Sequence, residues 1–87
     1  MSTAHLAEVQ GEGVAKYRLS PPWRGSEYVI VVNLVLRDGR TLTHIYAANE
    51  TGPLAVTTPE GNSTLLETVI GHVSHERALG RIDYRLE

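Results

Sequence analysis

Alternating apolar and polar residues predict strands along much of this chain. Residues 14–19 alternate apolar with charged side chains, which is the period-two pattern of a half-buried strand. Residues 27–36 are rich in Val, Ile and Tyr, and residues 41–48 form a further apolar run. A short edge strand is expected at 54–58. The alternation at 82–86 predicts that the chain ends in a strand that returns to the sheet.

The strands at 27–36 and 41–48 are expected to form a hairpin. Asp38-Gly39 lies between them, and this dipeptide is a strong signal for a two-residue turn. Such a turn would place Asn33 opposite His44, a polar pair in an otherwise apolar surface. One face of the hairpin would then carry Val31, Asn33, Leu42, His44 and Tyr46.

Residues 63–79 support two interpretations. Leu65, Leu66, Val69, Ile70 and Val73 have helical spacing, which favours one amphipathic helix through most of this segment. Alternatively, Ser74 caps a short helix at 75–79 that Gly80 ends.

These elements predict an α+β fold. We expect an antiparallel sheet of about four strands around the central Asp-Gly hairpin, with one or two helices packed on one face. The chain has 87 residues, which is enough for one domain. The domain is expected at residues 14–87, after a loosely held, flexible arm at residues 1–13.

The segment at residues 20–26 is expected to be a stiff loop, because Pro21 and Pro22 cannot donate to a strand ladder. It would hold Trp23, the only Trp in the chain, in a defined place. Trp23 would either pack on the core or contact a partner, since Trp is enriched among interface residues that dominate binding.

Composition narrows the function. The chain has no Cys, which excludes disulfides, thiolate zinc sites and thiol nucleophiles. Its net charge of −2 argues against a nucleic-acid binder that depends on bulk charge. The first residues do not resemble a signal peptide, and no apolar run approaches the roughly 20 residues of a membrane span. A cytoplasmic protein without membrane contact is expected.

No catalytic signature is evident. His72 and His75 would share a helix face, but the known helical zinc motifs are absent. His44 has no companion Ser or carboxylate at a spacing that would make a catalytic group. We therefore predict no catalytic residues, no metal site, no cofactor and no enzymatic activity.

Two regions carry a family resemblance. The first contains Tyr17-Arg18-Leu19-Ser20-Pro21-Pro22, followed by Gly25, Glu27-Tyr28-Val29 and Val31, and the second contains His75-Glu76-Arg77-Ala78-Leu79 with Tyr84 downstream. These motifs resemble small uncharacterised proteins of actinobacteriophages, of the mycobacteriophage type. The resemblance implies action in the cytoplasm of an infected bacterium and favours the short helix after Ser74. It implies no catalytic or binding residues.

The expected function is non-catalytic binding of a protein. One helix can cover one face of the hairpin, so the second face needs another cover, either a second copy in a homodimer or a host protein. Trp23 would lie at the rim of this contact. The candidate binding residues are Trp23, Val31, Asn33, Leu42, His44 and Tyr46.

The alternative is a nucleic-acid-binding regulator. Two arginines facing each other across the hairpin tip would repel unless an anion lay between them. The candidate residues for this function are Arg18, Arg24, Arg37 and Arg40.

Overall fold

A computed structural model of the chain describes residues 2–53, 56–58 and 61–87, and for residues 56–58 and 62 the backbone alone. In this part of the chain the elements are β1 (Thr3–Gly11), β2 (Val14–Trp23), β3 (Ser26–Val35), β4 (Thr41–Ala48), β5 (Val56–Thr58), β6 (Gly61–Ser63), β7 (Leu65–Ile70), α1 (His75–Gly80) and β8 (Arg85–Leu86).

Six of these strands form one mixed, curled sheet in the order β7-β4-β3-β2-β1-β8. All pairs in it are antiparallel except β1 with β8, which is parallel. β5 and β6 form a separate two-stranded sheet. The α+β prediction of about four strands with one or two helices is therefore wrong, because the chain is mostly β with a single short helix in its described part.

The hydrophobic core lies on one face of the curled sheet, which we call the inner face. Val29, Val31 and Ile45 point to this face and are fully buried. Ala78 and Leu79 of α1 pack against them and are also fully buried. The opposite face of β2, β3, β4 and β7 is the outer face.

The hairpin between β3 and β4 differs from the prediction by one residue. Val31 pairs with Ile45, and Asn33 pairs with Thr43. Three residues, 37–39, form the loop: the Leu36 N–H donates to the carbonyl of Arg40 at 2.7 Å, and the Gly39 N–H donates to the carbonyl of Leu36 at 3.0 Å. Gly39 has a φ of 87°, as expected for a three-residue loop that ends in a left-handed residue.

The segment around Trp23 is a tight hairpin and not the expected long loop. β2 runs to Trp23, which pairs with Ser26. Arg24 and Gly25 have φ values of 51° and 82°, and positive φ at both central positions is the mark of the turn that matches strand twist. The two prolines lie where the pairing of β2 with β3 shifts register, so their missing N–H groups interrupt no regular ladder.

The favoured helix over residues 63–79 is wrong, and the short helix after the Ser74 cap is confirmed, although it includes Gly80 and has its C-cap at Arg81. β7 pairs with β4 and provides hydrogen-bond partners along an edge that would otherwise be open. Gly71, with a φ of 101°, ends this strand. The Ser74 side chain then caps α1 by accepting a hydrogen bond from the Arg77 N–H at 3.2 Å.

The two ends of the chain lie side by side in the sheet. Residues 3–11, which fall in the segment predicted as an arm, form β1 and pair with β2. The pattern missed this strand because most of its side chains are exposed and only Ala4 is buried. At the other end, the strand expected at 82–86 is limited to β8, although Ile82 and Tyr84 are buried.

The edge strand expected at 54–58 corresponds in its described part to β5. Its first two residues, 54 and 55, lie outside the described residues.

Candidate functional site

The one-residue change in the hairpin separates the predicted binding residues. Val31 and Asn33 are on the inner face, where Val31 is fully buried. Leu42, His44 and Tyr46 pair with Leu34, Val32 and Ile30 on the outer face. The predicted surface therefore divides into two sites: an apolar outer face and a polar cluster on the inner face.

The outer face is broad, mostly apolar and half-buried. No helix of the described residues packs on it, because the buried side chains of α1 belong to the inner core. Its central side chains come from two neighbouring strands and contact each other across the ladder. They are Tyr28, Ile30, Val32 and Leu34 of β3 with Leu42, His44 and Tyr46 of β4.

His44 and Tyr46 are the polar pair of this face. The Nδ1 atom of His44 lies 2.8 Å from the hydroxyl of Tyr46, and the two rings meet edge to face with centroids 5.6 Å apart. Both residues are half-buried. The pair leaves the outer face with only a small, internally bonded polar patch, which suits contact with an apolar partner.

Lys16 closes the outer face on the β2 side. Its ammonium nitrogen lies 4.8 Å from the centre of the Tyr28 ring, and the residue is only 5% exposed. The side chain thus lies along the sheet with its charge over an aromatic face, which stabilises a cation that is poor in water contacts.

The polar cluster on the inner face is centred on Asn33. Its Nδ2 atom donates to the hydroxyl of Thr43 at 2.8 Å and to the carbonyl of Val73 at 2.9 Å. Its Oδ1 atom lies 3.1 Å from Nε2 of His75. Thr43 is fully buried and donates to the carbonyl of Gly71 at 3.0 Å. Asn33 therefore ties β4, the segment after β7 and α1 together.

The neighbours of His75 define its protonation pattern. Its Nε2 faces two acceptors, the Asn33 Oδ1 atom and the Gly13 carbonyl, each at 3.1 Å. Nε2 therefore carries the hydrogen, and Nδ1 accepts from the Tyr17 hydroxyl at 2.8 Å. Burial raises the pKa of Tyr17, so this hydroxyl keeps its proton. Because both ring nitrogens have partners inside the chain, His75 is a structural histidine.

A cavity of about 350 Å³ lies beside this cluster, lined by Glu12, Gly13, Asn33, Val35 and His72. His72 precedes α1 and is exposed, whereas His75 points into the cluster. The two histidines therefore do not form the shared helical face that a metal site on a helix would need. The described residues contain no group of three or more His, Asp or Glu side chains placed to hold a metal ion.

Trp23 is half-buried and packs against the core cluster. The guanidinium of Arg24 lies 4.9 Å from the centre of its ring. Trp23 pairs with Ser26 at the start of β3, whereas Leu42 pairs with Leu34 near the other end of this strand.

The four arginines of the alternative function are dispersed. Arg24 is in the β2–β3 turn and Arg37 is in the β3–β4 turn, at opposite ends of a ten-residue strand, which is about 30 Å long. Arg40 pairs with Leu36, so the two arginines do not face each other across the hairpin as predicted. The Nε atom of Arg40 lies 2.6 Å from Asp38 in an exposed ion pair.

Comparison with known proteins gives no identification. No family model, curated protein or solved structure matches the chain. Among the described residues, no helix is long and apolar enough to cross a membrane.

Proposed function

We propose that this protein is a non-catalytic binding module that contacts another protein through its outer face. The observation that supports this proposal is the continuous half-buried surface from Tyr28 to Leu34 on β3 and from Leu42 to Tyr46 on β4. No helix of the described residues covers this face, and a contiguous apolar patch in contact with water often marks an interaction site. Covering it with a partner would remove this area from water.

The chemistry of the face favours a protein partner over a nucleic acid. Protein interfaces combine an apolar centre with aromatic residues and few charges. The outer face has this composition: aliphatic side chains with Tyr28 and Tyr46 at its centre, and Lys16 and Arg18 of β2 at its border. The arginines that could neutralise phosphates are spread over both ends of the sheet.

The non-catalytic part of the proposal rests on His75, which uses both ring nitrogens in the inner cluster. A general base needs a free nitrogen within reach of a substrate proton, and His75 has none. The resemblance to actinobacteriophage proteins further suggests that the module acts in the cytoplasm of an infected bacterium, on a host or phage protein.

Site-specific photo-crosslinking in the cells that produce the protein tests the proposal. A photoreactive amino acid at Val32, on the outer face, should give one discrete adduct with another protein. The same amino acid at Val9, which is 68% exposed on β1, is the control and should give none. An adduct at both positions, or at neither, would contradict the proposal.

A charged substitution on the outer face provides the second arm. Tyr46→Glu should remove the adduct formed from Val32, because truncating or charging a central aromatic residue of an interface costs about 2 kcal/mol or more. The variant should keep the far-ultraviolet circular dichroism of the original chain, since Tyr46 is only half-buried.

A further inference from the structure

β7 has an open edge. It is the last strand of the six-stranded sheet, so within the described residues only β4 pairs with it. The Gly71 N–H donates to the carbonyl of Thr41 at 3.0 Å, so Gly71 directs its backbone groups toward β4. Successive residues of a strand direct their backbone N–H and carbonyl groups to opposite sides. The backbone groups of Val69 therefore also point toward β4, while those of Thr68 and Ile70 point away from it.

Little in β7 protects this edge from pairing with another strand. The outward N–H of Thr68 donates to its neighbour, the Glu67 carboxylate, at 3.2 Å. That bond is exposed and local, and the carboxylate can rotate away. Proteins usually protect such edges with lysines, prolines or cover, because an open edge pairs readily with another strand. β7 has neither Lys nor Pro.

An apolar groove lies directly beside the open edge. Ile70 is 81% exposed, the most exposed of the large hydrophobic residues in the described part of the chain. It borders a groove of about 560 Å³ together with Leu36, Leu42 and Thr68. An open backbone edge next to an apolar groove has the two components of strand addition, since the backbone supplies affinity and the groove receives alternate side chains.

We propose that a second copy of this chain occupies the edge, with the two β7 strands antiparallel about a two-fold axis. In the register that places Val69 beside its own counterpart, Thr68 of each copy pairs with Ile70 of the other. The outward backbone groups of both residues are then satisfied in both copies at once. Ile70 of each copy lies over Thr68 and the groove of the other.

Charge favours this register. Glu67 is the only charged residue of β7. In this arrangement it lies opposite Gly71 of the second copy, so the two carboxylates do not face each other, which would be destabilising. The contact differs from the outer-face proposal because its hydrogen bonds come from the backbone edge of β7, although its groove shares Leu42 with the outer face.

Light scattering coupled to size exclusion, over a range of protein concentrations, tests the dimer. The mass of the original chain should double as concentration rises. Ile70→Lys should remain at the mass of one chain, because it puts a charge into the groove. Thr68→Pro should do the same, because it removes an outward N–H without removing a bond to β4.

The matched control is Val35→Lys, which changes another exposed aliphatic residue, 72% exposed, at the end of β3. This variant should dimerise like the original chain. A mass of one chain at all concentrations for the original protein, or a dimer that Ile70→Lys leaves intact, would overturn the proposal. A dimer that Val35→Lys weakens as much as Ile70→Lys would also overturn it.

The two proposals fail separately. If Val32 gives no adduct but the chain forms a dimer that depends on Ile70, only the outer-face proposal is refuted. If Val32 gives an adduct but the chain stays monomeric, only the proposed β7 pairing is refuted.

Discussion

Replacing Thr43 by Val should test whether the inner polar cluster stabilises the fold. The two side chains have nearly the same shape, so the change removes a hydroxyl and little else. That hydroxyl is fully buried and makes three hydrogen bonds. It accepts from Asn33 Nδ2 at 2.8 Å and from the Val73 N–H at 3.3 Å, and it donates to the Gly71 carbonyl at 3.0 Å.

The expected loss in unfolding free energy is about 3 kcal/mol. Each net hydrogen bond contributes about 1 kcal/mol, and two donors, on Asn33 and Val73, lose a partner in a half-buried position. The methyl group gained in place of the hydroxyl offsets a small part of this loss. In a domain of this size, 3 kcal/mol lowers the melting temperature by about 12–24 °C.

Urea unfolding followed by Trp23 fluorescence measures this loss directly, since Trp23 is the only Trp and packs on the core. Thr43→Ser keeps the hydroxyl and should lose less stability than Thr43→Val. Thr41→Val, on the same strand, is the control and should change stability by under about 0.5 kcal/mol. The reasoning is refuted if Thr43→Ser is the less stable of the two position-43 variants, because packing and not hydrogen bonding would then decide.

Two further outcomes are expected. Burial raises the pKa of Tyr17 and of Tyr84 above 10.0, so the native state disfavours their ionised forms. Their contribution to the unfolding free energy should be constant below pH 10 and should fall as pH rises beyond it. In denaturation series from pH 8 to 11, Tyr17→Phe should make this fall shallower. Gly25→Ala should cost about 1–2 kcal/mol in urea unfolding, because φ at this position is 82°, whereas Gly52→Ala, at an open position without a left-handed φ, should cost much less; equal losses would show that the turn is not the cause.

The sequence predicts which segments are strands better than it predicts their register. The hydrophobic pattern located the two hairpin strands and the apolar part of β2. Asp38-Gly39 indicated a turn correctly, but the same dipeptide serves both two-residue and three-residue loops. Only the choice between them decides whether Thr43 or His44 faces Asn33, and neither residue is apolar enough to decide it by pattern.

The segment at 63–80 shows a second limit. Leu65 to Ile70 has apolar residues at a spacing that fits a helix, so local pattern favours the wrong structure. The segment forms a strand and not a helix because it pairs with the edge of β4, and this tertiary interaction overrides the local pattern. By contrast, the Ser74 cap is a local interaction, and the sequence predicts it correctly.

The candidate site could be predicted only in part. Leu42, His44 and Tyr46 do lie together on an apolar face, whereas Val31 is core. The inner cluster was missed because its members, from Tyr17 to His75, are 58 residues apart in the chain, and no local spacing connects them. The signal available was the presence of Asn33 in an apolar strand, since a polar side chain there needs partners if it is buried.

The position of the inner cluster follows from the path of the backbone. At Gly71 the chain leaves the sheet, and from there to α1 its backbone groups have no strand ladder to join. Thr43 and Asn33 bond the Gly71 carbonyl and both backbone groups of Val73, which are the groups the departing chain would leave unpaired. His75 then anchors the start of α1 to the turn at Gly13. The polar residues of the inner face are therefore engaged in holding the helix over the core. The outer face and the β7 edge have no such structural task among the described residues, which is why we propose these two surfaces for binding.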